Sequence, residues 1–164
     1  GGRLPPIDPL PLVDWRRGID LNPIEVMDDA AVLWARSMLW PEQTDRVERF
    51  ITAVEVARRD PPRLLQGDAI EMLAAVARDA PNSTTLVIFH SLVLNQLSAI
   101  ARTALTTIIE AIAQSRPVHR IGIDMVTTDS QPLTVLHTSY ESATTSETAL
   151  AHTTHHGAWL EWLA

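Results

Sequence analysis

The run Leu86-Val87-Ile88-Phe89 constrains this chain more than any other stretch. It is apolar without a polar break, holds two β-branched residues and stops at His90-Ser91. A strand with one wet face alternates apolar and polar side chains, and this one does not. It is therefore expected to be covered on both faces, as at the centre of a parallel sheet. Ligands of such sheets collect beyond the carboxyl ends of the strands, here near His90 and Ser91.

The flanking segments extend the same picture. Pro5, Pro6, Pro9 and Pro11 exclude helix and central strand, so residues 1–12 are expected to form an extended proline-rich lead-in. Residues 13–164 are expected to form a single α/β domain. Val13 to Leu21 reads as a short strand ending at Asp20-Leu21-Asn22-Pro23. Asp28-Asp29 can cap a helix reaching Trp40, before Pro41, and Val47, Phe50, Ile51 and Val54 recur at the spacing of one buried helical face. Arg63 to Gln66 is a brief strand running into Gly67-Asp68. Ile70, Leu73, Ala74 and Ala77 mark the next helix, closed by Pro81-Asn82. Beyond the apolar strand, Ser98 can cap a helix with the inner stripe Ala101, Leu105, Ile108 and Ile112, and Ile121, Ile123 and Met125 alternate as a strand. This alternation of strand and helix predicts a doubly wound, mostly parallel sheet. The remainder differs: Leu133 to Tyr140 and Glu147 to Thr154, joined by a polar loop from Glu141 to Ser146, predict an antiparallel C-terminal hairpin, and Trp159 to Leu163 a last strand or an extended tail.

Charge and composition narrow the partners. A chain of 164 residues, 46% apolar, can bury a sizeable core, and disorder is not expected. A net charge of −7 with no basic stripe argues against nucleic acid. The lack of cysteine removes disulfides, thiolate catalysis and cysteine-bound zinc. No apolar run nears the ~20 residues of a membrane helix and no signal peptide is visible, so a cytoplasmic protein without a membrane partner is expected.

Asp20, Asp68 and the His90-Ser91 pair all fall at expected strand ends. A carboxylate there can accept both hydroxyls of a ribose, and Asp68 could accept from the exocyclic amine of a base. Purely local roles stay open for each. Asp20 with Asn22-Pro23 can start a turn, Asp68 with Glu71 resembles a capping box, and His90 can be a hydrogen-bonded structural residue. No G-x-G-x-x-G occurs, which counts against NAD and FAD. His152, His155 and His156 would share a face on a helix, but strand and turn are expected there, so no metal is expected. Ser91 lies in His-Ser-Leu-Val, outside any G-x-S-x-G elbow.

As a set, several motifs carry a resemblance. Arg17-Gly18-Ile19-Asp20-Leu21-Asn22-Pro23, Trp40-Pro41-Glu42-Gln43, Gly67-Asp68, Phe89-His90-Ser91 and His156-Gly157-Ala158-Trp159-Leu160-Glu161-Trp162-Leu163 resemble a family of uncharacterised bacterial proteins, a domain of unknown function. Its members carry, upstream, a glycine-containing stretch similar to the first strand and loop of class I S-adenosylmethionine-dependent methyltransferases. The resemblance implies a Rossmann-like fold of the methyltransferase type, here without that first strand and loop, and so incomplete at its N-terminus. It implies S-adenosylmethionine or a related nucleoside as cofactor, held by Asp20, Asn22, Gly67, Asp68 and Ala69, with His90 and Ser91 facing a substrate. The full-length protein would then be the enzyme, and this chain alone inactive. The alternative is a non-catalytic binding or assembly module with a degenerate cofactor site. Exposed strand edges in such a chain would favour a homo-oligomer.

Overall fold

The structure, a computed structural model, describes residues 5, 9–124, 133–141, 144–155 and 157–163. It is a mixed α/β arrangement with two separate sheets. Arg16–Met72 form one compact unit, and the rest of the described chain forms another.

In the first unit, strand β1 (Gly18–Asp20) pairs in parallel with β2 (Leu64–Gln66), and helices α1 (Asp29–Ser37) and α2 (Thr44–Arg59) make the crossover between them. Asp28 caps α1, its side chain accepting from the N–H of Ala30. Arg58, in the last turn of α2, closes the crossover: its Nε donates to the Val26 carbonyl at 2.6 Å, and its Nη2 pairs with Asp29 Oδ1 at 2.6 Å. A Cβ at Gly18 would lie 2.5 Å from Leu64 Cδ2, so the Leu64 side chain packs over the bare glycine of its partner strand.

Helix α3 (Ala69–Arg78) leads on to the second unit, built on a sheet ordered β3-β4-β5-β6-β7. Its strands are β3 (Leu86–Ser91), β4 (Val118–Asp124), β5 (Leu133–Glu141), β6 (Thr144–Thr153) and β7 (Leu160–Trp162). Only β3 and β4 are parallel; the other pairs are antiparallel, with a bulge at Val135/Leu136. Between β3 and β4 run a short 3-10 turn, Leu94–Gln96, and helix α4 (Ala99–Ala113), which Ser98 caps by accepting from the N–H of Ala101. Helix α4 packs on β4 and β5. It buries Leu105, Ile109 and Ala113, and the sheet face that carries Leu86, Val118, Thr138 and Tyr140 is buried as well.

Two expectations are corrected here. The Leu86–Phe89 segment is a strand, but it lies at an edge of its sheet and not at the centre: among the described residues β3 pairs with β4 alone. Its burial alternates, Leu86 being buried while Val87 is 45% and Phe89 81% exposed. The five-stranded sheet is also mostly antiparallel, because the four strands expected in one parallel sheet divide into two pairs, β1 with β2 and β3 with β4. An apolar run specifies a strand; it does not specify how many neighbours that strand has. The C-terminal hairpin forms, although its second strand starts at Thr144 and not at Glu147, and a short final strand follows at Leu160–Trp162.

On the buried face, Arg120 Nη2 donates to Thr138 Oγ1 at 3.1 Å and lies 3.6 Å from Glu147 Oε2, with its guanidinium 6.0 Å from the ring centroid of Tyr140. Burial pushes the Tyr140 phenol above its ordinary 10.0, and the opposing pull of Arg120 does not cancel it. The neutral phenol is thus favoured in the folded state. Its contribution to stability is full below the unfolded pKa and is lost as pH rises through the folded one. Tyr140 is the single tyrosine of the chain, so phenolate absorbance reads it alone. The native titration should have a midpoint above that of the chain in denaturant; coincident midpoints would contradict this.

Candidate functional site

The carboxyl ends of the paired parallel strands β1 and β2 bring five of the expected residues together. Asp20 is in register with Gln66, and the Gly67 N–H donates to the Asp20 carbonyl at 2.9 Å. Just beyond β1, the Asn22 N–H donates to Asp20 Oδ1 at 2.8 Å, an Asx turn. At β2, Asp68 caps α3. Its Oδ1 accepts from the N–H of Ile70 at 2.7 Å, and its carbonyl accepts from the N–H groups of Glu71 and Met72. Ala69 is the first residue of that helix. A Cβ at Gly67 would meet the Met72 side chain, which would have to shift to make room.

The two carboxylates therefore stand at one end of one small sheet, both exposed. Oδ1 of each accepts from a backbone N–H, that of Asn22 at Asp20 and that of Ile70 at Asp68. The turn role of Asp20 and the capping role of Asp68 are thus both filled. A carboxylate oxygen pair of this kind accepts hydroxyl or amine hydrogens, and each charged hydrogen bond is worth about 1.5–3 kcal/mol.

The other two expected residues end β3, and the pleat separates them. His90 is half-buried on the same face as Leu86 and Val118, opposite Gly122 of β4. Ser91 is exposed on the other face, beside Ile123. The two side chains thus lie on opposite faces of the sheet. Leu92, immediately after, has φ 59°, a left-handed conformation that a branched, bulky residue adopts only at a cost of about 1–3 kcal/mol. Its N–H donates to the Ile123 carbonyl at 2.7 Å, which holds the chain as it leaves the strand. Backbone strain of this sort clusters at functional sites, and it falls where β3 presents Ser91.

Among the residues weighed for metal, His152 is on β6 with Nδ1 3.4 Å from Thr134 Oγ1, and His155 is exposed in the turn that follows. His156 lies outside the described residues. Among the described residues, no three His, Asp or Glu side chains gather as metal ligands. A hollow of about 620 Å³ opens between α1 and α2, walled by Leu33, Leu39, Val47 and Ile51 with Arg36 and Glu48 at its polar margin. None of the five strand-end residues lines it.

Several arrangements were not foreseen. The turn before β3 is held by Arg116, whose guanidinium donates to the carbonyls of Ala80, Pro81 and Thr84. His119 and His137 stack across β4 and β5. The only sequence signal for the second was the alternation of β4 and β5, which sends odd-numbered residues to one face; the register that joins them was not legible.

Neither the curated proteins nor the solved structures include a match to this chain. Residues 1–162 match the model of a family described as uncharacterized protein conserved in bacteria (DUF2332), and the chain belongs to that family.

Proposed function

We propose that the protein binds S-adenosylmethionine or a related nucleoside at the carboxyl ends of its parallel strands, as the C-terminal part of a methyltransferase-like protein. Asp20 would accept from the ribose hydroxyls and Asp68 from the adenine amine, with Asn22, Gly67 and Ala69 shaping the backbone around them. The observation that carries this reading is the pairing of β1 with β2, which sets both carboxylates at one strand end with a glycine between β2 and Asp68. The acceptor set suits a nucleoside. It offers nothing for the methionine end, since the chain has no glycine-rich loop. When bound, the cofactor supplies an electrophilic methyl group; the chain's own residues bind and orient the nucleoside.

A second reading, an assembly module without chemistry, draws on β3 itself, an edge strand with Phe89 81% exposed. Thermal unfolding of the full-length gene product with S-adenosylmethionine or S-adenosylhomocysteine separates the two. Ligand at a hundred times its dissociation constant should add about 2.7 kcal/mol of stability. Asp20→Asn keeps an acceptor for the Asn22 N–H and removes the charge, so it should abolish the shift while leaving the ligand-free melting temperature unchanged. A wild-type protein that shows no shift, and whose mass rises with concentration, favours the module.

A further inference from the structure

His119 and His137 belong to adjacent antiparallel strands, diagonally related: His119 is in register with Ser139, and Ile121 with His137. Both side chains are half-buried on the face opposite Val118 and Tyr140. His119 Nδ1 and His137 Nε2 are 3.0 Å apart, the ring centroids 5.1 Å apart and the ring planes 27° from parallel. Two neutral imidazoles carry one N–H each, so one facing nitrogen can donate and the other accept.

The same separation suits a shared metal ion. Two imidazole nitrogens bound at about 2.0–2.1 Å in neighbouring corners of a square plane stand about 2.9 Å apart, and in a tetrahedron about 3.4 Å apart. The observed N···N spacing lies close to the first, and the rings, whose centroids are now 5.1 Å apart, need only turn slightly for both lone pairs to meet at one ion. We propose that His119 and His137 form a two-imidazole clamp for a divalent transition-metal ion of tetragonal preference, of which Cu²⁺ is the type. No residue of the nucleoside reading takes part.

The ladder carries the argument further. Both β4 and β5 have paired neighbours on each side, so the two Cα positions are fixed by hydrogen bonds before any ion arrives. Partial exposure leaves the ion a path from solvent. Ligation needs only that the ring donating the facing proton carry it on its other nitrogen, and no proton is lost overall. Arg120, the nearest cation along the strand, points to the opposite face with Thr138 and Glu147, so it does not repel an ion here. Among the described residues no third His, Asp or Glu joins the pair, so water completes the coordination and the site stays open.

The test uses untagged full chain and Cu²⁺ alone. Because His152, His155 and His156 could bind copper by themselves, a variant with all three changed to Gln is the reference. It should bind one Cu²⁺ saturably, with two nitrogen couplings in its electron paramagnetic resonance spectrum. Adding His119→Gln or His137→Gln, each with a native circular dichroism spectrum, should remove that binding. Should either variant unfold, the coupling count in the reference protein decides alone: two nitrogens support the clamp, and any other number overturns it. Absence of saturable binding in the reference, or binding that survives either single change, also overturns it and leaves the pair as a hydrogen bond between strands.

Discussion

Ile109→Ala should lower the unfolding free energy by about 2–5 kcal/mol, the largest loss expected from trimming any one side chain of the α4 face. Ile109 is 0% exposed, and it lies on the helix that packs on β4 and β5, where Val118 is also 0% exposed. Removing three carbons there forfeits their transfer free energy and leaves a cavity, because a wall of regular strands collapses poorly. In a chain of 164 residues each kcal/mol moves the melting temperature by about 2–4 °C, so the variant should melt at least several degrees lower. Two comparisons sharpen the test. Ile108→Ala, at a half-buried neighbour, should cost clearly less. Phe89→Ala should change stability by no more than about 0.5 kcal/mol, since that ring is 81% exposed. Urea unfolding of the three variants gives the order directly. A Phe89 variant as damaging as the Ile109 variant would mean that β3 is covered on both faces after all.

That contrast shows what a sequence of this kind conveys. Features set by a few neighbouring residues were legible: Asp28 and Ser98 cap their helices, Asp20 starts an Asx turn and Asp68 caps α3. Their chemistry is complete within three residues of chain, so tertiary context has little to overturn. The stripe of α4 was legible in kind but displaced. Leu105 is buried as expected, while Ile109 and Ala113 take the central place assigned to Ile108 and Ile112, a rotation within one apolar sector that a helix rich in apolar residues leaves undetermined.

Strand neighbours were the illegible part. Leu86 to Phe89 satisfied the pattern of an interior strand because the side chains facing outward, Val87 and Phe89, are as apolar as those facing in. Polarity could not mark the open face, and only the pairing of strands reveals it. The facing of His119 and His137 depends likewise on the register between β4 and β5, which are joined by a connection too long to fix it locally. At the candidate site the two aspartates are brought to one strand end, whereas His90 and Ser91, adjacent in sequence, are sent to opposite faces by the pleat.

Arg116→Ala should destabilise the chain by about 2–4 kcal/mol, although it removes no core side chain. The guanidinium follows the end of α4 and donates Nη1 to the Ala80 carbonyl at 3.1 Å and Nη2 to the carbonyls of Pro81, at 2.9 Å, and Thr84. All three acceptors belong to the turn that delivers the chain from α3 into β3, a turn in which Thr84 Oγ1 also donates to Pro81 at 2.9 Å. Each bond from a charged donor is worth about 1.5–3 kcal/mol; water reaching the exposed Pro81 acceptor replaces part of the loss, which keeps the total below the sum. Arg116→Lys should recover less than half of the difference. A single ammonium is a compact charge without the planar fork that reaches three carbonyls at once. The acceptors are neutral, so added salt should leave the penalty nearly unchanged, unlike that of an exposed ion pair such as Arg49 with Asp45. Urea unfolding at low and high salt measures both points, and hydrogen exchange should quicken first at Thr84 to Leu86, where the turn becomes strand. A lysine variant as stable as the parent would show that a positive charge near the turn suffices and that the fork geometry does not hold the start of β3.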